Sequence, residues 1–439
     1  MSNVAQHLAQ YALKCADIMI PKPGTDLTKW AVVACDQYTS EPEYWEQAAD
    51  FVKDAPSTLN LIYPEVYLEE ADPQKRIKAI NETMHAYLKQ GIFTTYPNCF
   101  FLVHRTTDNC PAGRWGLLVT LDLEHYDYAK DSRTLIRATE GTILSRIPPR
   151  KEIRRNALLE VPHIMVLIND EKRSVIEPLA KKTDTLEQVY DTTLMANGGH
   201  LTAWKVDRQE DLEAIALAVE SMHAHLDPSN PLLFAMGDGN HSLATAKSCW
   251  EDIKQGLSAA EQDNHPARYA LVELENIFDP GLEFEPIHRV LFNVSRQTFL
   301  DEIAKVCESY SVSKVSSKEE VLQQIKVNDG LQKFGYCDAE GFSVIGMKES
   351  KASIAAGTLQ LVIDSLLAQK LAAVDYIHGV EVTANLGKKK GNIALILPDV
   401  SKATFFDTII KDNTLPRKTF SMGEAHEKRY YMEARRIQP

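Results

Sequence analysis

Much of the familiar catalytic vocabulary is missing from this 439-residue chain. No Gly-x-x-x-x-Gly-Lys-Ser/Thr loop occurs, which excludes a P-loop enzyme. The run Leu386-Gly-Lys-Lys-Lys-Gly391 has the wrong spacing and reads as an exposed basic loop. No Gly-x-Ser-x-Gly elbow marks a serine hydrolase, and no His-Glu-x-x-His marks a zinc protease. The seven cysteines (Cys15, Cys35, Cys99, Cys110, Cys249, Cys307 and Cys337) are odd in number, scattered and without a C-x-x-C pair. That argues against a disulfide framework and fits the reduced thiols of a cytoplasm. Apolar runs stay far below the about 18 residues of a spanning helix. At the N-terminus His7, Gln10, Lys14 and Asp17 interrupt any signal-like stretch. Positive charge is also scarce. A net charge of −13 argues against a nucleic-acid partner, yet leaves room for one basic pocket serving a small anion.

What is present suits a soluble globular protein: 44% hydrophobic and 25% charged residues, with no repeat and no low-complexity segment. The length predicts two domains. Helices are expected over 4–19, 44–51, 73–90, 171–190 and 209–225, and strands over 30–35, 99–104, 115–123, 164–168 and 269–275. They alternate without strict βαβ order, so the fold class expected is mixed α/β (α+β). The texture changes near residue 293. We therefore expect a core domain over 1–292 and a C-terminal α+β domain over 293–439, ending in a tail rich in Arg, Lys and Tyr.

Residues 231–250 carry the one local pattern with a mechanism attached. Pro231-Leu-Leu-Phe-Ala-Met236 is strand-like, Gly237-Asp-Gly-Asn-His241 is a tight turn, and Ser242 opens a helix. Glycines let a backbone approach a ligand or adopt positive φ. A helix N-terminus presents unpaired N–H groups and a positive dipole end, so strand, turn and helix make an anion site. The plainer alternative is an ordinary βα-turn capped by Ser242. A helix end contributes about 0.3–2 kcal/mol to an anion, whereas micromolar binding needs about 8 kcal/mol. Cations must come from elsewhere.

The window 133–155 offers them, with seven basic residues against two acidic ones. Arg137-Ala-Thr-Glu-Gly-Thr-Ile143 joins Thr139 and Glu140 to a turn glycine. Arg146-Ile-Pro-Pro-Arg150 places two arginines on a segment whose prolines favour an extended path. Guanidinium forks match phosphate oxygens in pairs, so Arg137, Arg146 and Arg150 are candidate phosphate ligands. Lys151 to Arg155 reads as a solvated basic helix. Histidines 163, 200, 265 and 288 stand alone and read as structural.

Together these segments resemble a known family. Cys35-Asp-Gln-Tyr-Thr-Ser-Glu-Pro-Glu-Tyr-Trp45, Ile136-Arg-Ala-Thr-Glu-Gly-Thr142, Arg146-Ile-Pro-Pro-Arg150, Gly237-Asp-Gly-Asn-His-Ser-Leu-Ala-Thr-Ala246, His265-Pro-Ala-Arg-Tyr269 and Leu415-Pro-Arg-Lys-Thr-Phe-Ser421 resemble the prokaryotic family called domain of unknown function 1015. The family is distantly similar to the ParB/sulfiredoxin-like fold, whose members bind nucleotide phosphates at such a turn; one branch phosphorylates free serine with ADP or ATP. The resemblance implies a ParB/sulfiredoxin-like nucleotide-binding core carrying extra strands and helices. In those relatives the turn reads Asp-Gly-His-His-Arg or Asp-Gly-His-Thr-Arg. Asp238, Gly239 and His241 match it, Asn240 replaces the first histidine, and Ser242 stands at the usual arginine, so Arg137 or Arg146 would have to replace that cation.

The function expected is a nucleotide-dependent phosphotransferase acting on a small hydroxylated metabolite. The alternatives are a non-catalytic nucleotide or phosphometabolite sensor and a phosphoester hydrolase. ATP or ADP would sit on Gly237, Gly239, Asn240, Ser242, Arg137, Thr139, Arg146 and Arg150. Asp238 would contact magnesium or the acceptor hydroxyl, His241 would serve as acid or base, and Glu140 and Asp36 are candidate bases. A small phosphate-containing ligand is the expected partner, with no membrane. A homodimer is left open.

Overall fold

The computed structural model describes residues 3–439. The chain forms two compact units. The first runs to Leu282 and also takes up Gly423–Pro439; the second is Glu283–Met422. The last 17 residues thus belong to the first unit, whereas the sequence reading had attached them to the C-terminal domain.

A mixed sheet of 11 strands organises the first unit. Its main path runs Glu187–Thr193, His200–Val206, Phe93–Thr106, Arg114–Asp122, Tyr269–Asn276, Met165–Ile168, Phe234–Asp238, Ile136–Arg137 and Tyr126–Asp127. The first five are joined antiparallel, while Phe234–Asp238 lies antiparallel to Met165–Ile168 and parallel to Ile136–Arg137. Side chains alternate across a strand, and both faces of this sheet are covered. Phe101, Val103 and Leu118 enter one core, while Phe100, Leu102, Leu117 and Val119 enter the other. Strands buried on both faces read as continuous apolar runs, which is why Trp115–Leu123 was recognisable. On the second face, helix Asn240–Lys254 contributes Leu243, Ala246 and Trp250, spaced for one helical stripe. Helix Pro73–Gln90 matches its expected range, with Asp72 capping the Lys75 amide, Pro73 in the first turn and left-handed Gly91 at the end.

Two expected helices are mainly strand. The helix placed over 4–19 stops at Ala9, Ala12 takes φ 63°, and Leu13–Lys14 and Ala16–Pro21 join the sheet. Ala16, Ile18 and Ile20 already alternate there. The 171–190 segment holds only the short helix Glu177–Ala180 and then the edge strand Glu187–Thr193. That strand buries only Tyr190 and Thr192, so its apolar signal is weak. Pro148 and Pro149 do not extend the chain either. They occupy the first turn of helix Ile147–Arg155, where a missing N–H costs nothing.

The second unit is an antiparallel sheet of six strands, ordered Cys307–Val315, Gly341–Ser350, Gln332–Asp338, Asn392–Ile396, His288–Phe292 and Ala373–Ile377. Helices Arg296–Ile303 and Ala355–Ala368 pack into its main core through Phe299, Leu359 and Ile363. The Leu415–Ser421 motif belongs here, with Phe420–Met422 paired to Phe284–Pro286. Among the described residues, no helix of either unit is long and apolar enough to cross a membrane.

Candidate functional site

The strand–glycine–helix pattern forms, in a tighter version than expected. The strand continues through Asp238 and the helix begins at Asn240, leaving Gly239 alone as the N-cap. Gly239 has φ 79°, and a Cβ there would lie 3.1 Å from Ile164 Cγ1. Both constraints demand glycine. Register against Met165–Ile168 slips between Met236 and Asp238, so Gly237 is the extra residue of a β-bulge, a device that re-aims neighbouring side chains. Ser242 is not the N-cap. It is the third helical residue, within the first turn, and its amide reaches the Gly239 carbonyl at 3.0 Å.

Three distant segments meet at this helix end. The first is the 139–143 loop: the Thr139 amide donates to Asn240 Oδ1 at 3.3 Å, and the Ile143 amide donates to His241 Nε2 at 3.3 Å. His241 Nε2 is therefore an acceptor, and the ring's role on this side is to hold the loop. Thr142 Oγ1, in the same loop, is buried with no hydrogen-bond partner among the described residues. Glu140 lies in this loop, half-buried.

The second segment brings His163. Its Nε2 lies 2.9 Å from Ser242 Oγ and its Nδ1 lies 2.9 Å from the Tyr431 hydroxyl. The Cys35 amide donates to that same hydroxyl at 3.0 Å. Burial above all, then the neighbouring Cys35 and Asp36, pushes the Tyr431 phenol well above its usual range. Burial likewise pushes up the Cys35 thiol, which makes it an inert packed residue. Asp36 itself accepts from Gln37 Nε2 at 3.0 Å.

The third segment is the tail. Lys428 Nζ stands 3.3 Å from Asp238 Oδ2, and the Gly239 amide donates to Asp238 Oδ1 at 2.9 Å. Burial opposes the charge on Asp238, but Lys428, His163 and the Gly239 amide together hold its carboxyl below the ordinary value. Buried ion pairs fix the tail. Arg429 bonds Glu273 at 2.6 Å, Glu433 at 2.7 Å and the Pro162 carbonyl, next to His163, at 2.5 Å. Arg105 holds the His426 and Lys428 carbonyls, and Gly198 leaves room for the Tyr430 ring, whose Cζ would lie 2.5 Å from a Cβ.

Of the arginines assigned to phosphate from sequence, Arg150 lines the cavity beside this helix end, already paired, and Arg137 lies away from it. Arg137 is 2% exposed. It donates to the Ser132 carbonyl, Asn230 Oδ1 and the Pro231 carbonyl, at the opposite end of strand Phe234–Asp238 from Gly239. Its fork is occupied by two backbone carbonyls and one side-chain amide oxygen. Arg150 is bound to Glu65, with Nε 2.9 Å from Oε1, and to the Arg146 carbonyl at 2.8 Å. Arg146 is exposed, and its guanidinium has no ion-pair partner among the described residues. The basic helix is paired rather than merely solvated, through Lys151–Asp252, Arg154–Glu160 and Arg155–Glu152. His163, Lys428 and Tyr431 were missed because no local motif surrounds them.

Beside the helix end lies a cavity of about 150 Å³. Leu61, Ile62, Met84 and Ile153 give it apolar walls; Arg150, Glu65, His163 and Ser242 give it a polar side. No group of three or more His, Cys, Asp or Glu side chains fit for a metal occurs among the described residues. Lys428 pairs with Asp238, so a magnesium ion at the turn would share that carboxylate with the ammonium group.

The family model described as protein of unknown function (DUF1015) matches residues 19–368. The chain belongs to this family. No curated protein matches this DUF1015 chain. Among solved structures it is similar to a mutant free serine kinase in complex with AMP, at 10% identity and a TM-score of 0.38, covering 73% of this chain and 91% of that one. It is also similar to a conserved hypothetical protein from Pyrococcus furiosus (9%, 0.34, covering 73% and 95%). SbnI with a C-terminal truncation, from Staphylococcus aureus, stands at 9% and 0.32, covering 70% and 82%. Likeness this remote carries no inference about activity.

Proposed function

We propose that this DUF1015 protein is a nucleotide-dependent phosphotransferase acting on a small hydroxylated metabolite, with a donor phosphate held at the N-terminus of helix Asn240–Lys254. The observation that carries the reading is the convergence of the 139–143 loop, His163 and Lys428 on that one helix end. The Asn240 amide, at the first helical position, has no intrahelical acceptor, and Lys428 supplies the cation that Ser242 does not. A charge-assisted bond adds about 1.5–3 kcal/mol to the helix end's about 0.3–2 kcal/mol. The remainder of micromolar affinity, about 8 kcal/mol in all, falls to contacts of the ligand's uncharged part with the apolar walls. Glu140, on the docked loop, and Asp36, beside Cys35, are the carboxylates we assign to orient an acceptor hydroxyl. ATP and ADP are the donors to test first.

The test is a thermal-shift and calorimetric titration with nucleotides and inorganic phosphate, with and without magnesium, on the wild type and on Lys428→Ala. A ligand bound only by the folded state raises apparent stability. A nucleotide-dependent shift is expected in the wild type, with affinity about 10- to 100-fold weaker in Lys428→Ala, equivalent to about 1.4–2.7 kcal/mol. Binding without turnover would make the protein a sensor, and turnover without an acceptor a hydrolase. No binding of any phosphate ligand to the wild type would overturn the reading.

A further inference from the structure

The side chains at this helix end form a hydrogen-bonded series that a phosphate cradle alone does not require. Ser242 Oγ, His163 and the Tyr431 hydroxyl follow one another at 2.9 Å each, and the Cys35 amide closes the series at 3.0 Å. A hydroxyl within hydrogen-bond reach of a ring nitrogen, with the ring held by a third group, is the signature of an activated nucleophile. The ring is well held: His163 is 7% exposed, and Arg429 fixes the carbonyl of the preceding Pro162. Ser242 and His163 both line the cavity, so a ligand can reach them.

We infer that Ser242 is a nucleophile, deprotonated by His163, that takes a phosphoryl group from a phosphoanhydride donor and passes it to the acceptor. The donor's identity rests on the function proposed above; the nucleophile does not. The tautomer we assign has Nδ1–H donating to the Tyr431 hydroxyl, which also accepts the Cys35 amide hydrogen, and Nε2 accepting from Ser242 Oγ. In the first step the Ser242 Oγ–P bond forms, the anhydride P–O bond breaks with its electron pair leaving on the remainder of the donor (ADP from ATP, AMP from ADP), and the hydroxyl proton moves to His163 Nε2. In the second step the acceptor oxygen attacks phosphorus, Oγ leaves and recovers the proton from His163, and the acceptor's proton goes to water. One proton is released per turnover. The serine found where relatives carry arginine thereby acquires a role of its own, while Lys428 supplies the cation.

A fluorophosphonate probe tests the nucleophile without any nucleotide, because it phosphonylates activated serines. With the full-length protein we expect one adduct, located by peptide mass at Ser242 and absent from Ser242→Ala. His163→Gln should lower the maximal labelling rate by about 100-fold or more, as loss of a general base does. Tyr431→Phe keeps the ring packed and removes the hydroxyl, so the maximal rate should fall about tenfold with probe affinity unchanged. Melting temperatures separate these effects from misfolding. A folded wild type that is not labelled at Ser242 would overturn the inference, as would His163→Gln and Tyr431→Phe both reacting at the wild-type rate. Incubation with γ-labelled ATP addresses the donor. Phosphate on Ser242 supports both proposals, whereas a fluorophosphonate adduct without phosphate transfer keeps the nucleophile and removes ATP as donor.

Discussion

The window 133–155, with seven basic residues against two acidic, and the tail 423–439, with four against three, use their cations in opposite ways. In the window, Arg137 is bound to carbonyls, Arg150 to Glu65 and Arg154 to Glu160. In the tail, Arg429 and Arg435 are locked to buried glutamates, and that anchoring presents Lys428 and Tyr431 to the turn. Local charge density therefore says that cations exist and nothing about where their forks point. A guanidinium carries five donors, and a folded chain full of carbonyls readily occupies them.

The largest effect should come from breaking the tail's anchor. Arg429→Met leaves Glu273 and Glu433 buried without their partner, which costs about 3–5 kcal/mol when one member of a buried pair is removed. Chemical denaturation should show that loss, and the same variant should lose phosphate binding because Lys428 and His163 both depend on the tail. A stable variant with intact binding would break the comparison, since the anchor would then be irrelevant to the site.

Next comes a pH effect on the same network. Arg114 donates to the tail carbonyl of Glu427 and lies 2.8 Å from Glu275. Burial above all, with Glu273 and Asp279 adding to it against the pull of Arg114, pushes Glu275 up to about 8. An unfolded glutamate titrates near about 4.3. Between those values the folded state binds the extra proton, so the stability contributed by Glu275 should fall as pH rises from about 5 to 8, by at most about 1.4 kcal/mol per pH unit. Glu273 and Glu160 are shifted down and add no slope in that range. Denaturation midpoints of Glu275→Gln across this range should be flatter than the wild type's; an equal slope would remove Glu275 as the cause.

Arg137→Ala follows. Its acceptors, the Ser132 and Pro231 carbonyls and Asn230 Oδ1, lie in the approach to strand Phe234–Asp238. Losing a buried donor costs about 1–3 kcal/mol. The expected outcome is a lower melting temperature with phosphate affinity of the folded protein unchanged. Unchanged stability with weakened affinity would restore Arg137 as a ligand.

These contrasts show which parts of the protein a sequence can disclose. Periodicity disclosed helix Pro73–Gln90, the doubly buried strand Arg114–Asp122 and the strand–Gly239–helix unit, because each is determined by neighbours a few residues away. The edge strand Glu187–Thr193 escaped because an edge buries little. The site escaped further still. Ser242 and His163 lie 79 positions apart, and His163 and Tyr431 lie 268 apart. An isolated histidine carries no mark of what the fold will place against each of its nitrogens.

The smallest effect is expected at Arg146, and it sharpens the comparison most. It is exposed, with no ion-pair partner for its guanidinium among the described residues, so it alone of Arg137, Arg146 and Arg150 keeps its donors available. Its carbonyl accepts from Arg150, an interaction that Arg146→Ala preserves. Stability should therefore change by no more than about 0.5 kcal/mol, as for surface substitutions generally. An exposed cation near a charged ligand is worth about 0–1 kcal/mol, so phosphate affinity should fall by less than about fivefold and the difference should fade in added salt. A loss matching that of Lys428→Ala would show that the window sends one arginine to the ligand after all. Titration of inorganic phosphate into both variants at low and high salt decides between the two.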